Sequence, residues 1–396
     1  MTRREEAVLD ADQHGGNPPA TPRAAGSLPH RHQGRSDVLA RRALLSAGLA
    51  GLAVAPLAVS ARARGGPRGE LVRSTAEAGD AAAPGLSCAT LIVAGPPDPQ
   101  TRRWAAPLIS PLAAALHPGG DLTMQAVGGR DGVTAANAFD SLASNDGCTA
   151  LLVPGAAFTA WLAGDPRVHF DVGRWVAAFA SDGPVVLFGR PLARQAVVRV
   201  ASSTPTGIEL AALLGLALLG ESPQPVDGLA EPADARDALL QGRVDAIMLS
   251  GPDVASRMRE LTRPGLVPLL SLDPGTLPNQ AAPPHLPRLD QLYAARFGGA
   301  AEGHLFEAWR ATAVAASLQS ALVLQPLTPA ALVAQWRGAC ARAADDQALG
   351  ASASESGLRL LAAPDCVGVL SNLILSPASL LALRGWLNRT PGRRPA

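Results

Sequence analysis

The sequence predicts an α/β protein built on parallel strands, in about two domains. Short apolar runs that end in Gly or Pro alternate with stretches of helical spacing, the pattern of strand-helix-strand crossovers. The alternation begins near residue 90 and begins afresh near residue 197, which gives two such units. The chain has 396 residues. Less an export segment, that length suits about two domains at the usual ~100–200 residues each.

Taken in order, Leu91-Ile92-Val93-Ala94-Gly95, closed by Pro96-Pro97, reads as a buried parallel strand and its loop. Residues 101–116 have helical spacing, with Pro107 and Pro111 expected to kink or split the helix. A second strand at 122–127 ends in Gly128-Gly129; Val133, Ala136, Phe139 and Leu142 then fall near helical spacing, and 149–153 is the third strand. After the apolar run 158–162, residues 176–179 and 185–188 read as further strands. The second unit opens with a strand at 197–200 and a helix at 207–219 that is apolar nearly all round and should be buried. Residues 234–241 form a short helix stopped by Gly242, and strands follow at 244–249 and 266–271. A Pro-rich connection spans 273–287. Residues 303–342 look helical, broken at Pro326-Leu327-Thr328-Pro329, where Thr328 can cap and Pro329 start a helix. Ser376-Pro377 repeats that arrangement.

All 34 basic residues are Arg. The absence of Lys excludes Schiff-base chemistry, a Walker A lysine, a kinase-type lysine and a Ser-Lys dyad. Apolar residues make up 47% and charged residues 17%, so a folded core is expected and whole-chain disorder is not. Residues 1–63 hold 8 Arg against 5 acids, leaving a net −2 for the rest. No surface basic enough to track nucleic acid remains.

Residues 1–63 read as a twin-arginine signal. Arg41-Arg42 is followed by Ala43-Leu44-Leu45 and a moderately apolar stretch to Val59, with Ala61-Arg62-Ala63 as an A-x-A cleavage site. The rival reading is a membrane anchor, against which stand Pro56 and the Ala and Gly content. Residues 64–85 form a linker of Gly, Ala, Pro and scattered charge.

Several landmarks then fall in one order. They are Val93-Ala94-Gly95-Pro96-Pro97, Asn145-Asp146-Gly147-Cys148-Thr149, Phe170-Asp171-Val172-Gly173-Arg174-Trp175-Val176, Pro225-Val226-Asp227-Gly228 with Gly242-Arg243-Val244-Asp245, and Gly265-Leu266-Val267-Pro268-Leu269. In this order, over residues 90–340, the chain resembles the tripartite tricarboxylate transporter receptors, the Bug-type periplasmic solute-binding proteins. The resemblance implies a two-lobed α/β fold of the periplasmic-binding-protein type II kind, a Venus flytrap with two crossovers. The larger lobe would comprise 86–191 and 279–396, and the smaller 192–278. It also implies a periplasmic monomer that captures a small organic acid for the membrane permease subunits of such a transporter, with no enzymatic activity, cofactor or metal.

In that family two loops of the first lobe hold the ligand carboxylate largely through backbone N–H groups, as loops feeding helix N-termini can. The matching positions include Pro97, Asp98, Thr101 and Arg102 in the first loop and Gly128, Gly129, Arg130 and Asp131 in the second. Asp98, Pro99 and Arg102 depart from the family pattern, as do Arg130 and Asp131. Two readings stay open: Arg102 or Arg130 makes a charge-assisted contact to the ligand, or each pairs locally with Asp98 or Asp131. From the second lobe, Ser203, Thr204 and Thr206 either reach the ligand or cap the helix beginning near Ile208, capping being the commoner role. Asp227 and Asp253 could line the cleft.

The strand order implied by the resemblance sets the first strand beside the third, so Cys88 is expected to pair with Cys148; Cys340 with Cys366 is the second expected pair. The alternative is buried free thiols. No G-x-S-x-G, H-E-x-x-H or C-x-x-C occurs. The competing functions are a twin-arginine-exported enzyme with a bound cofactor and a non-transport sensor on the same fold.

Overall fold

The structure, a computed structural model, describes residues 89–95, 99–116, 122–129, 131–142, 146–192, 197–275 and 286–390, without the side chains of 99–105. All of them belong to one compact unit, Ala78–Ala396. The expected signal at 1–63 and the linker at 64–85 lie outside the described residues.

The chain runs β1 (Thr90–Ala94), α1 (Pro99–Leu116), β2 (Thr123–Val127), α2 (Val133–Asp140), β3 (Thr149–Val153), α3 (Gly155–Ala163) and β4 (Val176–Asp182). It then enters a second sheet through β5 (Val186–Gly189), β6 (Val197–Ala201), α4 (Leu210–Leu218), β7 (Ser222–Val226), α5 (Pro232–Leu240), β8 (Ala246–Leu249), α6 (Val254–Leu261) and β9 (Val267–Ser271). It returns by α7 (Leu289–Phe297), α8 (His304–Ser317), β10 (Leu318–Leu324), α9 (Ala330–Ala344), α10 (Gln347–Glu355), β11 (Arg359–Ala362), α11 (Asp365–Ser371) and α12 (Pro377–Arg389).

The first sheet has the order β11-β4-β10-β3-β1-β2 and the second β7-β6-β8-β5-β9. In each, three strands are parallel, β2-β1-β3 and β7-β6-β8, and the others pair antiparallel. The first crossover follows β4, so the second sheet begins at Val186, ahead of the boundary expected at 192.

Three layers of apolar packing hold these sheets. α1 and α9 cover one face of the first sheet, burying Leu108, Leu112, Trp336 and Cys340. α5 and α6 cover the far face of the second, burying Leu239, Val254 and Leu261. Between the sheets lies one continuous core, in which Leu151 and Ala180 of the first sheet join Leu187, Val198 and Val200 of the second through α3, α4 and α8. The all-apolar α4 is buried there, as its sequence predicts, against α8. Gly215 permits that approach: a Cβ at this position would sit 3.1 Å from the Trp309 indole nitrogen and 3.2 Å from Leu289.

Three expectations are corrected. The helix is not split at Pro107 and Pro111: α1 runs unbroken over 18 residues. The buried stripe Leu108, Leu112 and Leu116 anchors it, while the prolines lie four residues apart on a more exposed stripe. Residues 318–324 form a strand rather than a helix, because β10 sits between β3 and β4 and pairs on both sides; tertiary pairing overrides local propensity. Thr328 caps no helix: its hydroxyl turns back to the Gln325 carbonyl at 2.8 Å. Ser376 does cap α12, accepting from Ser379 N at 3.1 Å with Pro377 in the first turn. β7 was hidden by Pro223 and Pro225, which an edge strand tolerates because their missing N–H groups would face away from β6.

Candidate functional site

The carboxyl ends of parallel strands are where α/β sheets bind ligands. In the first sheet, β2 ends in Gly128 and Gly129, both exposed, and Asp131 and Gly132 lead into α2. Gly132 has φ 78°, and a Cβ on it would stand 2.7 Å from Pro154 Cδ, so this loop lies tight against the start of α3. Asp131 Oδ1 accepts from Val133 N at 3.2 Å, fastening the first turn of α2. Its Oδ2 lies 2.8 Å from Arg167 Nη1. The partner of Asp131 is therefore Arg167, which the sequence reading missed. Arg130 lies outside the described residues, as do Pro97, Asp98 and the side chains of Thr101 and Arg102.

Arg167 has a second carboxylate. Its Nε and Nη2 meet Asp165 Oδ1 and Oδ2 at 3.0 and 2.8 Å, and its backbone N–H donates to Oδ1 at 2.9 Å. Asp165 is buried, and it accepts a further hydrogen bond, at 2.7 Å, from Thr206 Oγ1 in the turn after β6. Burial alone would raise the Asp165 carboxyl; hydrogen bonds from the Arg167 side chain and backbone and from Thr206, with the Arg167 charge, hold it down at about 2. Two sequence-predicted elements, the Asp131 loop and the Ser/Thr turn, are thus joined through Asp165 and Arg167. The only sequence signal for this pair is Asp-Pro-Arg, a local loop motif without periodicity.

The Ser202 and Ser203 hydroxyls are committed within their own sheet. Ser203 Oγ donates to Glu209 Oε2 at 2.9 Å and Ser202 Oγ to the Thr204 carbonyl at 3.0 Å. The side-chain cap expected for the following helix is absent: α4 has Glu209 at its N-cap with no side-chain capping bond. The Ser202, Ser203 and Thr206 hydroxyls find carboxylate or carbonyl acceptors instead. Asp227 is exposed at the end of β7. Asp253, with φ 61°, donates its N–H to the Ser356 carbonyl at 2.9 Å, tying the start of α6 to the end of α10.

Cys148 is disulfide-bonded; Cys88, its expected partner, lies outside the described residues. Thr90 N donates to the Cys148 carbonyl at 2.8 Å, so the starts of β1 and β3 are adjacent. The second expected pair is corrected: Cys340 and Cys366 are free and buried. They sit on α9 and α11, where they pack as small apolar groups. Burial pushes both thiols up, Cys366 to about 11, and a thiol so raised is a poor nucleophile.

A Ser, a His and a Glu do meet elsewhere. Ser379 Oγ lies 3.2 Å from His304 Nδ1 and donates to Glu307 Oε2. The hydroxyl bonds the carboxylate directly and is fully buried, whereas a nucleophilic triad places the imidazole between the two. This cluster ties α8 to α12. Among the described residues no group of His, Cys, Asp and Glu could hold a metal ion, and no helix is long and apolar enough to cross a membrane.

No protein-family model matches the chain, and no curated protein matches it. Solved structures do. A TctC solute-binding protein from Polaromonas, without ligand, aligns with a TM-score of 0.56 at 16% identity, over 76% of this chain and 98% of that one. The fold is that of the two-lobed solute-binding proteins. MatC of Rhodopseudomonas palustris, with bound malate, aligns with a TM-score of 0.50 at 18% identity, over 75% and 98% of the two chains. A second R. palustris protein, with adipate, gives 0.51 at 16% identity over 75% and 97%. The two sheets and two crossovers of this chain are accordingly the two lobes of that fold.

Proposed function

We propose that this chain is an extracytoplasmic receptor that captures a small carboxylate-bearing ligand between the loops at the carboxyl ends of its parallel strands and delivers it to the permease subunits of a tripartite tricarboxylate-type transporter. The observation that carries this reading is the fold, which spans nearly the whole length of proteins solved with malate and adipate. The Gly128–Gly129 backbone would contribute N–H donors, and Arg102 and Arg130 the cationic contacts. Those arginines matter because Arg167 is already shared by two carboxylates, Asp131 and Asp165. Thr204 and Asp227 would line the opposite side, with Asp98 and Thr101 in the first loop. The protein acts by binding alone, as a monomer, after export by the twin-arginine signal.

Thermal-shift screening of the full chain against malate, adipate, citrate, their amides and aromatic acids tests this. A ligand at 100 times its Kd stabilises by ~2.7 kcal/mol, which is easily read. A rise with carboxylates but not amides, lost in Arg102→Ala and Arg130→Ala, supports the reading; no response to any carboxylate at millimolar concentration refutes it. Export is tested separately, by whether Arg41→Lys with Arg42→Lys retains the protein in the cytoplasm.

A further inference from the structure

The two sheets are joined at the crossovers by the chain itself and, between the sheets, by the shared apolar core. On the side of the ligand loops they are joined differently. Thr206, after β6 of the second sheet, donates at 2.7 Å to Asp165, which follows α3 of the first. Both residues are buried. Arg167 grips the same carboxylate with two guanidinium N–H groups and extends Nη1 to Asp131, whose other oxygen fastens the start of α2. An unbroken line of hydrogen bonds therefore runs from the second ligand loop of one lobe to the Ser/Thr turn of the other. Ser203, three residues earlier in that turn, is bonded within its own lobe, so the crossing belongs to Thr206.

We propose that Asp165, Arg167 and Thr206 form a clasp between the lobes, positioning residues that hold the cleft closed and set how long a ligand stays without touching it. The free-energy gap between open and closed forms of such proteins is a few hydrogen bonds in size, and a charge-assisted bond is among the stronger ones. Loss of this one shifts the open fraction about tenfold. Arg167 makes the clasp responsive, because a ligand that moves the Gly128–Gly132 loop also moves Asp131, and through it the guanidinium that orients Asp165. The residence-time part of this inference rests on the receptor reading above; the closure part does not.

The test uses the full chain with spin labels at Ala114→Cys on α1 and Ala233→Cys on α5, exposed positions on the outer helices of the two lobes. Thr206→Val keeps the shape and removes the hydroxyl; Thr206→Ser restores it. Without ligand, Thr206→Val should lengthen or broaden the label-to-label distance distribution, and Thr206→Ser should return it. With malate or adipate as the probe, Thr206→Val should speed dissociation about tenfold and Thr206→Ser should not. An unchanged distance distribution in Thr206→Val, even with lowered stability, overturns the clasp, as does failure of Thr206→Ser to restore it. If neither probe binds, the distances still decide the clasp, and the carboxylate screen above decides the receptor reading.

Discussion

Asp165 beside the Asp131 loop and the pair Asp182 and Asp273 at the crossovers are the same side chain, held in opposite directions. All three are nearly inaccessible. Asp165 collects the Arg167 guanidinium and backbone N–H and the Thr206 hydroxyl, and these together outweigh burial. Asp182, at the end of β4, has the Arg359 fork at 3.1 and 2.6 Å across the β4–β11 register, yet burial pushes its carboxyl up by more than Arg359 draws it down. Asp273, in the second crossover, is pushed up by burial, against the hydrogen bond from Gly275 N at 2.8 Å and the Arg288 and Arg359 charges, which draw it down; the nearby Asp182 charge adds to the rise. Burial penalises each charge, and its balance against the donors at each site sets the direction. The Asp165 site keeps a charge, whereas burial disfavours one at the crossovers.

The sharpest way to break the comparison is to remove the one cation bonded to Asp182. Arg359→Ala leaves a buried carboxylate at the first crossover without its partner and should cost about 3–5 kcal/mol at pH 7 by chemical denaturation. Because the Asp182 carboxyl is already raised, the loss should shrink as pH falls and the group protonates; a loss under about 1 kcal/mol that ignores pH would show that Asp182 is not the strained group. Asp165→Asn comes next, at about 2 kcal/mol. Here the sign runs the other way. The carboxyl is depressed to about 2, so its contribution is complete above about pH 4 and disappears as pH falls toward 2. Wild type and variant should therefore converge on acidification, in denaturation curves taken stepwise from pH 6 to 2, and curves that stay parallel would contradict the ionised clasp.

Most of the frame was legible in the sequence because apolar runs bounded by Gly and Pro are local signals. β1, β3, β6, β8, β9 and the all-apolar α4 fall where those signals place them. What escaped depends on partners far along the chain. The helix-like Ser317-Leu318-Gln319-Ser320 gives no hint that β10 will be paired from both sides, and the prolines of β7 look like breakers until the strand is seen at an edge. The site divides in the same way. Asp131 and Thr206 were marked from the resemblance, but their partners were not: Arg167 stands 36 residues beyond Asp131, and Asp165 bonds Thr206 across 41. Such pairings follow from the folded lobes and carry no spacing of their own.

Asp273 offers a gentler test of the crossover half. Its raised carboxyl favours the protonated form in the folded protein, so this stability is present at low pH and lost as pH rises through the folded value. Asp273→Asn keeps an oxygen for Gly275 N and removes the charge. It should raise stability by about 1 kcal/mol at pH 7 and by less near pH 4, and a destabilised variant would mean that the Arg288 and Arg359 charges serve Asp273 better than its burial harms it.

The smallest effect expected is Ser203→Ala, and it is the most discriminating between turn and clasp. Ser203 and Thr206 share one turn and each donates to a carboxylate, Ser203 to Glu209 at 2.9 Å and Thr206 to Asp165 at 2.7 Å. They differ in burial and in whether the bond crosses from one lobe to the other. Half-buried and local, the Ser203 bond should be worth under about 0.5 kcal/mol, with no change in the distance between the lobes. If Ser203→Ala opened the lobes as far as Thr206→Val, the conformation of the turn would govern closure, and the cross-lobe hydrogen bond would be its consequence.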